Sequence, residues 1–380
     1  MHLILTLFSW LALAIGLLGA AYALLAAQMV VRLLRQPKPA PSAAPAVTLL
    51  KPLSGAEPGL FEALDSFCRQ AYAGQTQIVV GVQDPADSAL AVVREIEAAH
   101  PDLDIAVVVD ATAHGANRKV SNLINMARQA HHEVLVLSDS DMLVPPDYLS
   151  QVVGALEAPG VGLVTCFYAG HPQPGLWSTL AAMATSYQFL PNAALGAGLK
   201  LAEPCMGSTI ALRATTLAAI GGFESIRDHL ADDYEIGRAV RALGLRIARP
   251  PMVLGHVSHE PTLASLIAHE VRWGRTIRLV EGAGYFGSII TYAVPMGLIG
   301  ATLAGFSLVS LALVLVILIS RLILKLRIDA AIGAGAGALW LLPLRDVLSF
   351  VVFLASLTGA SVSWRGRRYR VGPDGVLAPL

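Results

Sequence analysis

Short apolar runs rich in Val and Ile alternate with stretches of helical periodicity between residues 47 and 138. Val47–Leu50 reads as a buried strand, after which Leu60, Phe61, Leu64, Phe67, Cys68 and Ala71 recur at helical spacing. Ile78–Val82 is a second strand, Ala86–Ala99 a helix stopped by Pro101, and Ile105–Val109 a third strand. Asn117–Ala130 reads as a helix and Val134–Ser138 as a fourth strand. This alternation predicts an α/β fold of βαβ units, with a mostly parallel sheet and helices on both faces. In such open sheets ligands sit at the carboxyl ends of the strands, and Asp84 and Asp139 each come just past one. After Asp141 the pattern loosens: 161–166 and 208–212 read as strands, and 176–190, 233–243 and 262–279 as helices.

The ends of the chain have a different pattern. Residues 3–31 and 286–320 hold no charge, and 328–364 hold only Asp329 and the pair Arg345-Asp346. A bilayer core takes about 20 apolar residues per helix. The first run is one span and the second supplies two short ones. The third supplies two only if Arg345-Asp346 lies at an interface or faces the interior of a bundle. About five spans are expected, four of them within 284–364. No basic region precedes the first run, which is also longer than the apolar core of a signal peptide, so residues 1–35 are expected to stay as an anchor. Residues 36–46 form a stiff Pro/Ala linker, 47–260 the main domain, 261–281 an amphipathic helix at the membrane surface, and 365–380 a basic tail.

Composition supports this division. With 55% hydrophobic and 14% charged residues among 380, the chain is too apolar for an ordinary soluble domain. Zero net charge suggests no nucleic-acid partner. Arg32, Arg35 and Lys38, then Arg321, Lys325 and Arg327, then Arg365, Arg367, Arg368 and Arg370, follow the apolar runs. By the positive-inside rule these clusters and the main domain are cytosolic. Cys68, Cys166 and Cys205 have neither metal-ligand spacing nor a disulfide framework, which suits a reducing compartment.

Six groups of residues are candidates for chemistry, and each has two readings. Asp139-Ser140-Asp141 is a solvated turn, or a pair of carboxylates that holds a hard divalent cation against phosphates. Asp84, before Pro85, is a helix cap, or a carboxylate that contacts a nucleotide base. Asn117-Arg118-Lys119 at a helix start is a basic turn or an anion site. Asp232-Asp233 complements a helix dipole, or supplies a carboxylate tuned by burial to take a proton from a hydroxyl. Gly207, in the loop before the strand leading there, belongs to a plain turn or lines an acceptor pocket. His269 and Arg272 share one helix face next to Trp273. They either grip phosphate and a planar group or anchor an interfacial helix. His256 and His259 lack a third ligand and read as structural.

In this order, the motifs resemble the ceramide glucosyltransferase-like family, a branch of the inverting GT-A glycosyltransferases. The likeness includes Leu50-Lys51-Pro52-Leu53-Ser54-Gly55, Val82-Gln83-Asp84-Pro85-Ala86, Asn117-Arg118-Lys119-Val120-Ser121-Asn122-Leu123, Ser138-Asp139-Ser140-Asp141, Ala231-Asp232-Asp233-Tyr234 and His269-x-x-Arg272-Trp273. Gly115–Asn122 and Pro343-Leu344-Arg345-Asp346 look most like the branch associated with bacterial hopanoid biosynthesis. The resemblance implies a GT-A catalytic domain at 47–260 in the bacterial inner membrane, facing the cytosol. The donor is a UDP-sugar (GlcNAc or Glc), Mg²⁺ or Mn²⁺ is the cofactor, and the acceptor is a lipid hydroxyl, a hopanoid polyol such as bacteriohopanetetrol before ceramide. It further implies that Asp84 contacts uracil and that Asn117 and Lys119 bind donor. Asp139 and Asp141 hold the metal-bound diphosphate, Asp233 is the general base, and Arg272 with Trp273 grips the leaving group. Gly207, Asp232 and His269 line the acceptor side. The wider clan often has Gln or Arg where His269 stands, which leaves that residue's role open and argues against a processive polysaccharide synthase. A membrane scaffold with a dead transferase fold is the non-enzymatic alternative.

Overall fold

The computed structural model describes residues 2–359, 361–364, 367–372 and 375–379. The chain divides into a sheet unit (36–173, 203–259 and from 364 onward) and a helical unit (up to 35, 174–202 and 260–363).

The strands in chain order are β1 (Val47–Pro52), β2 (Thr76–Val82), β3 (Asp104–Val109), β4 (Val134–Leu137), β5 (Met142–Leu143), β6 (Val161–Val164), β7 (Phe167–Pro172), β8 (Ile210–Arg213), β9 (Arg246–Ala248) and β10 (Val253–Ser258). Past the helices come β11 (Ser361–Trp364), β12 (Arg367–Val371) and β13 (Leu377–Pro379). Seven strands make one sheet in the order β3-β2-β1-β4-β8-β6-β9. Strands β1 to β4 are parallel, β8 runs antiparallel to β4 and β6, and β9 is parallel to β6. A smaller sheet, β5-β10-β7, closes against Asp141, whose carbonyl accepts from the Val257 amide at 2.8 Å.

The period of two along β1 divides the core. Val47 and Leu49 face one cluster with Leu64, Phe67, Val93 and Val152, while Leu50 faces another with Val120, Leu123, Ile236 and Val240. Helices 60–68, 89–99 and 148–156 thus cover one face, and 118–127 and 232–242 the other. The first of these has the i, i+3, i+4, i+7 set Leu60, Ala63, Leu64, Phe67, all buried. β3 is the edge, and Val107 and Val109 remain 39% and 46% exposed.

The sequence reading missed β5, which has only two residues, and β7, β9 and β10, whose short runs include Gly, His or Arg and so break the apolar signal. The linker is docked as well as stiff. Glu157 accepts from the amide and hydroxyl of Ser42 at 2.6 and 2.8 Å, and Lys38 pairs with Asp147 at 2.8 Å. The segment read as a basic tail contains β12 and β13, which pair antiparallel. Leu377 donates its amide to the Asp228 carbonyl at 2.8 Å, and the Leu230 amide donates to Gly375 at 3.0 Å. Arg365 lies outside the described residues.

In the helical unit, His2–Leu34 (33 residues) and Leu308–Ile332 (25 residues) are long and apolar enough to cross a membrane. Gly282–Thr291 with Ala293–Leu303 makes a third candidate bent by 61°. Leu341–Ser356 has 16 residues, so the described residues supply two or three such spans where the charge-free runs suggested about five. Small residues line the buried face of the first helix. A Cβ at Gly16 would stand 3.1 Å from the Gly297 backbone nitrogen and 3.2 Å from the Ala293 carbonyl oxygen, so the backbones of the first helix and Ala293–Leu303 approach closely. Arg345 and Asp346 face the interior, 2% and 5% exposed. Arg321 and Lys325, read as part of a cytosolic basic cluster, are instead buried within Leu308–Ile332. Arg321 forks onto Asp346 at 2.8 and 2.6 Å, and Lys325 pairs with Asp329 at 2.6 Å. Hydropathy alone cannot distinguish a loop cation from one whose partner lies on another helix. Residues 174–202, read as part of the main domain, group with these helices.

Candidate active site

The sheet unit brings the acidic motifs together at the carboxyl ends of β1 and β4. Asp139 lies two residues past β4, and Asp232 and Asp233 open helix 232–242. Lys119, one residue into helix 118–127, joins them with Nζ 2.8 Å from Asp139 Oδ1 and 2.9 Å from Asp232 Oδ2. Gly207 completes the arrangement: its carbonyl accepts from the Asp139 amide at 3.2 Å, and its amide donates to Asp233 Oδ2 at 3.0 Å. A Cβ there would stand 2.5 Å from Asp139 Oδ2, so any side chain at this position would displace that carboxylate. Asp233 Oδ1 accepts from the Tyr234 amide at 2.8 Å.

Lys51 and His256 support this cluster, and neither was singled out as functional from the sequence. Lys51 is fully buried on β1, over the Phe67 ring at 3.8 Å, and donates to the Asp139 carbonyl. Its signals were a cation inside an apolar strand and a place in the Leu50–Gly55 motif. His256, read as structural, puts Nε2 at 3.2 Å from Asp141 Oδ2. No local pattern marks this contact, because β10 joins Asp141 only through the small sheet.

Burial and like charge set the electrostatics. Burial, then the charge of Asp232, pushes the Asp233 carboxyl up to about 6, against the opposing pull of Lys119. Asp139 is also raised, by burial first, with Lys119 opposing. Burial would raise Asp141 too, but His256, through charge and hydrogen bond, and then Lys51 bring it below the usual range. Burial lowers the Lys51 ammonium to about 7 in spite of Asp141 and Asp139. Lys119 is raised: burial works against its charge, but Asp139, Asp232 and Asp233 outweigh it.

Asp141 Oδ1 is buried with no hydrogen-bond partner. An orphaned carboxylate oxygen beside Asp139 has the donor chemistry of a hard divalent cation, which prefers oxygen and takes further ligands from phosphates. Among the described residues, no group of three or more His, Cys, Asp or Glu side chains would hold a metal unaided.

The other expected residues have partners of their own. Asn117 is fully buried, and its amide is used at both ends: Oδ1 caps the helix from Val120 at 3.1 Å, and Nδ2 donates to the His229 carbonyl at 2.8 Å. Both hydrogen bonds hold the loop in place. Asp84 is exposed and accepts from the Ala86 amide at 2.8 Å; it does not cap the helix, which starts at Ala89. His269, Arg272 and Trp273 belong to the helical unit, on helix Leu263–Val280, capped by Thr262. There His269 Nδ1 lies 2.8 Å from Glu260, and its ring meets Trp273 edge-on at 4.6 Å.

A family model, Glycosyl transferase family 21, matches residues 10–377. The chain belongs to glycosyl transferase family 21. It is thereby one of the glycosyltransferases, and its sheet unit is the GT-A-type α/β domain. Ceramide glucosyltransferase 1 of Caenorhabditis elegans is 24% identical over 207 residues, 54% of this chain and 44% of that protein. The match thus spans less than half that relative's length. Ceramide glucosyltransferase 3 of the same organism is 23% identical over 366 residues, 89% of this chain and 75% of that protein. Among solved structures, the mannosyltransferase PcManGT from Pyrobaculum calidifontis, in complex with GDP-Man and Mn²⁺, superposes with a TM-score of 0.53 at 21% identity. It covers 91% of this chain and 99% of its own. That likeness extends to the fold.

Proposed function

We propose that this chain is a membrane-bound inverting glycosyltransferase that moves a sugar from a UDP-sugar to a lipid hydroxyl. The observation that carries the reading is the convergence of Asp139, Asp232 and Asp233 on Lys119, bridged by the Gly207 backbone at the strand ends. Asp139 and Asp141 are the residues that would hold Mg²⁺ or Mn²⁺, which supplies charge neutralisation to a diphosphate. Asp233 takes the proton of the acceptor hydroxyl as its oxygen bonds to the anomeric carbon. The bond from that carbon to the diphosphate breaks on the opposite side, UDP leaves with the electron pair, and configuration inverts. A carboxyl held near 6 is ionised at neutral pH yet basic enough to accept a proton. Lys51 and His256 are positioning residues that hold Asp139 and Asp141.

The lipid acceptor is supported by the membrane-length helices and by the relatives' names. A hopanoid polyol with a GlcNAc donor comes first, on the wording of Gly115–Asn122 and Pro343–Asp346, and ceramide with glucose second. The compartment proposed is the bacterial inner membrane with the sheet unit in the cytosol. The test supplies membranes containing the chain with UDP-GlcNAc or UDP-glucose and each lipid, with and without EDTA, and reads the lipids by mass spectrometry. The expected result is a β-linked glycolipid from one donor–lipid pair, lost on chelation. Absence of glycolipid from every pair would overturn the reading, and undiminished product in EDTA would remove the metal.

A further inference from the structure

A cavity of about 550 Å³ opens in the sheet unit where β2 and β3 end. Gln83 follows β2, Ala111 and Ala113 follow β3, and Arg118 is the neighbour of the lysine that ties the carboxylates. The walls are chemically divided. Gln83 Oε1 accepts from Arg118 Nε at 3.2 Å, and Asp228 Oδ1 accepts from the Ala116 amide at 2.8 Å. An amide, a guanidinium and a carboxylate thus make one polar side. The apolar side is Tyr369 and Leu377, each 4% exposed, and both come from the far end of the chain.

These two are held by the backbone. β12 and β13 pair with Val371 opposite Leu377 and Tyr369 opposite Pro379. The pair is stitched to 228–230 by the Leu377–Asp228 and Leu230–Gly375 hydrogen bonds and by the bridge His229–Val376. The loop that receives the strands carries Asp228 of the cavity and leads directly into Asp232 and Asp233. Side chains alternate along a strand, so Arg370 points away and is exposed while Tyr369 faces the cavity.

We propose that the C-terminal strand pair is part of the donor site, with Tyr369 and Leu377 forming the wall on which the nucleoside of the sugar nucleotide packs. A nucleoside needs polar partners for its base edge and ribose hydroxyls, and an aromatic or aliphatic surface for its ring. Among the described residues that line this cavity, Tyr369 is the one aromatic. The inference rests on the donor reading above, and it makes Tyr369 a residue that sets donor affinity without touching the reacting carbon.

The experiment uses the full chain in detergent, with UDP as the calorimetric probe and the UDP-sugar as substrate. Tyr369→Ala is expected to raise the Kd for UDP and the KM for donor about tenfold, the scale of one base–aromatic stack. The kcat and the KM for lipid should change less than twofold. Leu377→Ala moves in the same direction by less, Tyr369→Phe retains affinity, and Arg370→Ala is unchanged. If wild type binds UDP and both alanine variants bind it equally well, the inference is overturned; if wild type binds no UDP, the donor reading itself falls. Melting temperatures are read alongside. If Tyr369→Ala unfolds, Leu377→Ala decides: weakened UDP binding in a folded protein supports the wall, and unchanged binding removes it.

Discussion

Both units bury charge, but they do so differently. In the helical unit the three cations buried among the described residues each have an anion: Arg321 with Asp346, Lys325 with Asp329, Arg345 with Glu270. In the sheet unit four carboxylates, Asp139, Asp141, Asp232 and Asp233, face Lys51, Lys119 and His256, and two carboxylate oxygens make no hydrogen bond: Asp141 Oδ1, and Asp232 Oδ2, which has only its ion pair to Lys119. Matched pairs are closed and serve packing. Unmatched charge at a cleft is held at a cost, which a ligand of opposite charge offsets on binding. The three acidic motifs and the three internal ion pairs look alike as sequence, and only their partners separate a binding site from a brace.

Three substitutions test that contrast. The largest effect is expected at Asp233→Asn, which keeps shape and removes the base. The kcat should fall about 10²–10⁴-fold with an unchanged melting temperature, and turnover at the wild-type rate would end the assignment. Next is Arg321→Leu, which strands Asp346 inside the helical unit and should lower unfolding stability by about 3–5 kcal/mol. Joint replacement with Asp346→Leu should recover most of it in detergent denaturation, and a single variant as stable as wild type would mean that the pair is no brace. The smallest concerns pH. With Asp233 near 6, the rate should fall about tenfold per unit below that pH, because the protonated form cannot accept a proton. Asp232→Asn removes a like charge that raises Asp233, so the acidic limb should move to lower pH. At pH 6 the gain in ionised base is at most about twofold, read from the normalised profile; a limb that stays put would mean that Asp232 does not act on the base.

How much of this was legible in the residues depends on range. The first four strands and their helices follow from local periodicity, and their observed bounds depart by a few residues, with helix 89–99 starting three later than the apolar pattern suggested. Asp139 and Asp233 were legible because short acidic motifs stand at element ends. His256 was not, since its partner Asp141 lies far away in sequence, in the turn just before the two-residue strand that pairs with β10 in the small sheet. Asn117 shows the other limit: a polar residue at a helix start fits both anion binding and capping, and its hydrogen bond to the Val120 amide shows the cap.

The sequence by itself determined the α/β order, the apolar ends and the acidic motifs, because hydrophobic period and turn chemistry act over a few residues. The tertiary structure alone decided that Lys119 joins Asp139 to Asp232, that Arg321 and Lys325 are internal, and that β12 and β13 pack onto the loop before Asp232. Each of these depends on which distant groups share one buried environment, and burial turns a charge from a solvated surface feature into one that must be matched or used.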